Sequence, residues 1–173
     1  MKKLLFLAAL LPLFSFTLAE WIDVKIDERF SINFPTQPTE KEMSGNPIWV
    51  ADVDENSRVM VMTMDFQNLG LDSASLSEEL TKEGAFEGFG QGIIQQIPGA
   101  SIISQASTKV QGYLTFDYKI DMGKKDPNEL NLMYCKSIFV NTKMYAVYYY
   151  EKENKAADAT REAYFNSIKI RKF

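Results

Sequence analysis

Asp52, Asp54 and Asn56 alternate in the run DVDENS, the spacing of the first three oxygen ligands of a calcium-binding loop. Ser57 stands where such a loop needs glycine, and Thr63 where it needs a bidentate glutamate. The flanking residues alternate like strands, so the run reads first as a polar hairpin turn, with a cation site as the sharper alternative. The GFGQG run, Gly88–Gly92, imitates a phosphate loop, but it lies within a helical pattern and no Lys-Ser or Lys-Thr follows. The GASII run, Gly99–Ile103, begins like a nucleophile elbow and lacks its closing glycine. There is no histidine, which removes Ser-His and Cys-His pairs and most zinc sites. No catalytic residue is assigned and no cofactor is expected. Two separated carboxylates acting as acid and base remain a third reading, behind two binding readings.

Cys135 is the single cysteine, so no disulfide forms within the chain. It lies in the apolar run LNLMYCKSIFV, where a buried thiol packs as a small hydrophobe; a reactive thiol is the alternative. Met60, Met62 and Met64 share one face of a strand, which suits core packing or, as the sharper reading, soft-metal ligation. Aromatics crowd the later half of the chain. Trp49, Tyr113, Tyr148 and Tyr150 are the binding candidates, because Tyr and Trp are enriched in recognition surfaces; the other reading is that they cap a sheet beneath helices.

These residues must be positioned by strands. Period-two alternation predicts them at Trp21–Ile26, Phe30–Phe34, Pro47–Asp54, Arg58–Phe66, Ser101–Gln111, Tyr113–Met122, Leu130–Val140 and Lys143–Tyr150. Within Tyr113–Met122 the residues Leu114, Phe116, Tyr118, Ile120 and Met122 face in, while Thr115, Asp117, Lys119 and Asp121 face out. The last two strands are apolar on both faces, the mark of central strands covered on both sides. A helix is predicted from Leu76 to about Ile97, with Ser75 and Glu78 as a capping box. Gly84, Gly88 and Gly92 recur along it at ~1 kcal/mol each relative to alanine, which implies close approach to a packing surface or a break near Gly90. Asn154 is the expected cap of a C-terminal helix. No βα alternation occurs, so the fold class is α+β, a central antiparallel sheet sandwiched by helices.

Residues 1–19 read as a secretory signal peptide: Lys2 and Lys3, an apolar stretch, then Thr17 and Ala19 before a cut at Ala19–Glu20. The remainder, 20–173, is expected to form one exported domain, periplasmic or secreted, with no stable membrane anchor after cleavage. Loss of two lysines takes the net charge from −4 to −6. An acidic chain without basic clusters argues against nucleic-acid partners.

Four runs, FSINFPTQP, GYLTFDY, KMYAVYY and AYFNSIKI, together resemble the PsbP/Mog1-like superfamily, and more narrowly its small exported bacterial members. The matching residues are Phe30, Ile32, Phe34, Pro35, Lys143, Tyr145, Phe165 and Ser167. The Phe165–Ser167 spacing is one residue tighter than the usual pattern. The resemblance implies the helix-covered antiparallel sheet and non-catalytic binding to a protein partner. Its members support the oxygen-evolving photosystem in plants or bind a small GTPase, and neither role suits an exported chain. PTQP then reads as a strand stop and not as a Pro-x-x-Pro ligand, because Pro35 removes a ladder donor and restricts Phe34. The leading expectation is an exported accessory protein acting through a protein partner in the cell envelope; the second is a small-ligand or cation-binding protein.

Overall fold

Ten strands form among the described residues, most of them where apolar side chains alternate. The computed structural model describes residues 21–126, 128–153 and 158–172, so the expected leader and the Asn154 cap lie outside the described residues. The strands are β1 (Ile22–Lys25), β2 (Phe30–Phe34), β3 (Thr39–Met43), β4 (Asn46–Asp54), β5 (Ser57–Asp65), β6 (Ser101–Val110), β7 (Tyr113–Asp121), β8 (Leu132–Val140), β9 (Lys143–Glu151) and β10 (Lys169–Ile170). Seven form one antiparallel sheet in the order β3-β4-β5-β9-β8-β7-β6, and three form a second, β1-β2-β10. The β8–β9 hairpin closes through Asn141 at φ +57°, a left-handed conformation asparagine tolerates. As expected, β2 stops at Phe34, immediately before Pro35.

The segment after Pro38 adds a strand that alternation does not predict. Thr39–Met43 pairs to β4 at the sheet edge and is exposed throughout. Its Glu40, Lys41 and Glu42 hide it from a period-two reading, and they are also what keeps an edge strand from pairing with other chains.

Each face of the large sheet has its own core. Phe116, Tyr118, Ile120, Met133 and Phe139 lie under two helices, α1 (Ser73–Thr81) and α2 (Ala85–Ile94). The helix expected as one piece is therefore broken at Lys82–Gly84, where Gly84 takes φ +81°. Asp72 caps α1 and not Ser75: its carboxylate accepts from the Ser75 N–H at 2.8 Å. The close approach falls on Gly90. A Cβ there would lie 2.7 Å from Tyr118 Cε1 and 3.0 Å from Ile102 Cδ1, whereas one at Gly88 or Gly92 meets open space. Tyr118 cannot swing aside freely, because its hydroxyl donates to the Phe86 carbonyl at 2.8 Å. Gly90→Ala is accordingly expected to destabilise by about 1–2 kcal/mol, and Gly88→Ala to stabilise by roughly 0.5–1 kcal/mol. Urea unfolding of the two variants checks the opposite signs.

On the other face Phe30, Ile32 and Phe34 of the small sheet meet Val59, Val61, Tyr145, Val147 and Tyr149, with Tyr164 and Ile168 closing the layer. Tyr164 belongs to α3 (Asp158–Asn166). The sandwich is thus asymmetric: two helices on one side, one helix plus a three-stranded sheet on the other. Ser167, just past α3, accepts from the Asn33 N–H at 3.1 Å and donates to the Tyr164 carbonyl at 2.6 Å, tying the helix end to β2.

Asp27 joins the two sheets. One oxygen accepts from the Arg29 and Phe30 N–H groups at 2.8 and 2.9 Å; the other accepts from Lys143 Nζ at 3.0 Å and the Tyr145 hydroxyl at 2.6 Å. Burial pulls its pKa up, but the bonds from Tyr145, Arg29, Lys143 and Phe30 outweigh it, and the carboxyl sits below its ordinary value. A carboxyl depressed by folding contributes stability that is fully present above its unfolded pKa of about 4 and is lost as pH falls through the folded value. Asp27→Asn is therefore expected to lower stability at pH 7 and to flatten the decline below about pH 4. Urea midpoints measured from pH 2 to 7 test this.

Candidate functional site

The side chains at Asp117 and Lys119, expected to face solvent, look into a cleft of about 530 Å³ roofed on one side by α3. Thr115 on the same face is fully buried. The antiparallel register places Ser104 opposite Lys119 and Ala106 opposite Asp117, and Lys119 in turn opposite Tyr134. The cleft floor is thus one face of β6, β7 and β8, and its wall is Arg161, Glu162, Phe165 and Asn166 of α3. The helix covers the β8 side and leaves Ser104–Lys109 of β6 bare.

A buried carboxylate anchors the wall. Glu151, at the end of β9, has no exposed surface. Its two oxygens accept from Arg161 Nη1 at 2.9 Å each, and one also accepts from the Tyr134 hydroxyl at 2.9 Å. Arg161 also pairs with Asp158, and its guanidinium lies 4.0 Å from the Tyr134 ring centroid. Burial, followed by the bond to Glu151, pushes the Tyr134 phenol up to about 12. Lys136 donates to Asp117 at 2.7 Å and lies 5.3 Å from the Phe165 ring centroid. Asp117 accepts as well from the Thr108 hydroxyl at 2.6 Å. Lys119 sits 5.3 Å from the Tyr134 ring centroid and has no carboxylate partner among the described residues. Among the described residues the cleft therefore offers an aromatic floor, two ion pairs that satisfy themselves, and a lysine, Lys119, without a carboxylate partner.

The four aromatic candidates do not converge. Trp49 and Tyr113 pack against the α3-side core with three strands between them, while Tyr148 and Tyr150 stack at 5.9 Å on the opposite face. Nor do Asp52, Asp54 and Asn56 converge on a cation position. Asp54 accepts from the Asn56 N–H and the Ser57 hydroxyl, both at 2.8 Å, which closes the β4–β5 turn, and Asp52 pairs with Arg58 at 2.6 Å. Cys135 is buried, and loss of solvent pushes its thiol up to about 12, so it packs as an unreactive hydrophobe. The cleft residues were missed in sequence because each is ordinary alone. The available signal was a single glutamate ending the apolar strand KMYAVYYYE and a single arginine beside the apolar positions of α3.

No protein-family model and no curated protein matches the sequence. Among solved structures, the solution structure of cyanobacterial PsbP from Synechocystis sp. PCC 6803 is similar over 91% of this chain and 96% of that one, with a TM-score of 0.59 and 9% identity. The Saccharomyces cerevisiae Ran-binding protein Mog1p superposes over 88% of this chain and 96% of that one, with a TM-score of 0.48 and 9% identity. At such identity the likeness to PsbP is one of architecture, and it extends over nearly the whole of both chains: the chain has the PsbP/Mog1-like fold.

Proposed function

We propose that this is an exported, non-catalytic binding or accessory protein that acts through a protein partner in the cell envelope. The cleft beside α3 carries the reading. Arg161 is engaged with Glu151 and Lys136 with Asp117, so among the described residues the cleft presents shape, aromatic surface, the Lys119 ammonium group and the exposed Glu162 at its rim. That is equipment for recognition. The resemblance of the FSINFP and AYFNSIKI runs to binding modules points the same way. Cross-linking in intact cells, followed by affinity isolation from the envelope, is expected to enrich a discrete protein partner. Recovery of nothing above background overturns the reading.

One observation favours a second reading, a small ligand: the cleft volume falls within the range of small-molecule pockets, about 300–1,000 Å³. A ligand at about a hundred times its Kd adds about 2.7 kcal/mol of stability. Thermal-shift screening with small metabolites, calcium and manganese would register it as a raised melting temperature, and a flat screen removes this second reading.

A further inference from the structure

We infer that the outer edge of β6, together with the adjoining cleft, takes up an extended segment of a protein partner that carries an acidic side chain facing Lys119. The inference rests on the reading of the protein as a binding module and names its docking surface.

The two edges of the large sheet are unlike. β3 closes one edge with Glu40, Lys41 and Glu42, and such charges deter strand addition. β6 closes the other over ten residues, and from Ser101 to Thr108 it carries neither a charge nor a proline. Its one irregularity lies at Ile102–Ser104, which leaves Ser104–Val110 in regular register with β7. Those backbone groups on the outer side have no strand partner among the described residues, and Ser104–Lys109 are exposed. An unpaired, uncharged edge of this length is a template for one more strand.

The cleft defines the rest of the occupant. A strand added to β6 places every second side chain on the cleft side. There it runs beside Ser104, Ala106 and Thr108, whose small side chains leave room. Neighbouring strands lie ~4.8 Å apart, so a residue opposite Ser104 stands ~10 Å from the Lys119 backbone, a span that lysine and glutamate side chains bridge together. Lys136 and Arg161 already hold carboxylates, and Lys119 holds none among the described residues. The complement is therefore an acid. A second copy of this chain cannot supply it through the same edge, since SIISQASTKV contains no acidic residue. Two like-charged acidic copies also repel. The charge pattern favours a different protein.

The test pans a phage-displayed library of random twelve-residue peptides against the intact protein, then measures synthetic versions of the enriched peptides. The expected peptides have β-branched residues alternating with at least one Asp or Glu, and protect amides of 101–110 from hydrogen exchange. Binding weakens at least tenfold in Lys119→Glu, and again in Ala106→Lys, which adds a deterrent charge to the edge. Lys41→Glu at the opposite edge leaves binding unchanged. Thermal unfolding of each variant confirms that it is folded. The inference is overturned if no peptide is enriched, if enriched peptides bind both variants as well as the parent, or if protection falls elsewhere. It is overturned too if sedimentation shows a dimer that Ala106→Lys abolishes, since the edge then serves a second copy. A native partner that both variants still capture sinks the docking surface while leaving the binding reading intact.

Discussion

Arg161→Ala is expected to lower the unfolding free energy by about 3 kcal/mol, the low end of the cost of breaking a buried ion pair. Glu151 is fully buried and Arg161 is 15% exposed, so loss of the guanidinium leaves a carboxylate in a dry site with only the Tyr134 hydroxyl. That remaining bond keeps the cost from the upper end. In urea, with a slope of about 1–3 kcal/mol/M, the midpoint should fall by roughly 1–3 M without a change in slope. The discriminating variant is the double replacement Glu151→Leu with Arg161→Met. An apolar pair of similar volume needs no desolvated charge and should recover most of the lost stability. If Arg161→Ala alone is neutral, the buried pair contributes nothing, and the wall of the cleft is held by other contacts.

Tyr164→Ala should cost about 3–5 kcal/mol, the range for removing a fully buried large aromatic. Tyr164 is the one buried residue of α3, and its ring meets Trp21 at 6.0 Å, Phe34 at 6.2 Å, Tyr149 at 6.1 Å and Phe165 at 5.5 Å. It touches both sheets and the helix at once. Its hydroxyl reaches the Met60 carbonyl only at 3.4 Å, so Tyr164→Phe should change stability by no more than about 1 kcal/mol. Arg161 and Tyr164 are three residues apart and anchor the same helix. Once either is gone the helix has less left to lose, so the double variant should cost less than the sum. Strict additivity would mean that α3 does not dock as a unit.

Strands that bury side chains were legible, because burial is what imposes alternation. β2, β4, β5, β7, β8 and β9 follow their apolar patterns closely, down to the opposite faces of Trp49 and Ile48. The shortest and most charged elements were not: β3 is charged at its centre, and β10 has two residues, too few to show a period. β6, expected over Ser101–Gln111, is present as Ser101–Val110 although both its faces are largely exposed. The break in the first helix was misplaced because the glycine that ends it, Gly84, and the glycine that packs, Gly90, look alike in sequence. The cleft was least legible. Glu151, Arg161, Tyr134 and Lys119 come from four elements, and only the register of β7, β8 and β9 brings them together.

The pairing of β10 with β2 carries a consequence for the order of events during synthesis. Ser167, 134 residues after Asn33, bonds to it, and Ile170 stands against Phe30. Closing so long a loop is slow and entropically costly. A polypeptide made from its amino end therefore leaves the outer edge of β2 and part of the core around Phe30, Ile32 and Phe34 open until Tyr164, Ile168 and Ile170 arrive, while the strands between Thr39 and Glu151 pair with one another in the large sheet. The last residues made thus complete one of the two cores, and a chain cut short before Tyr164 would lack that closure.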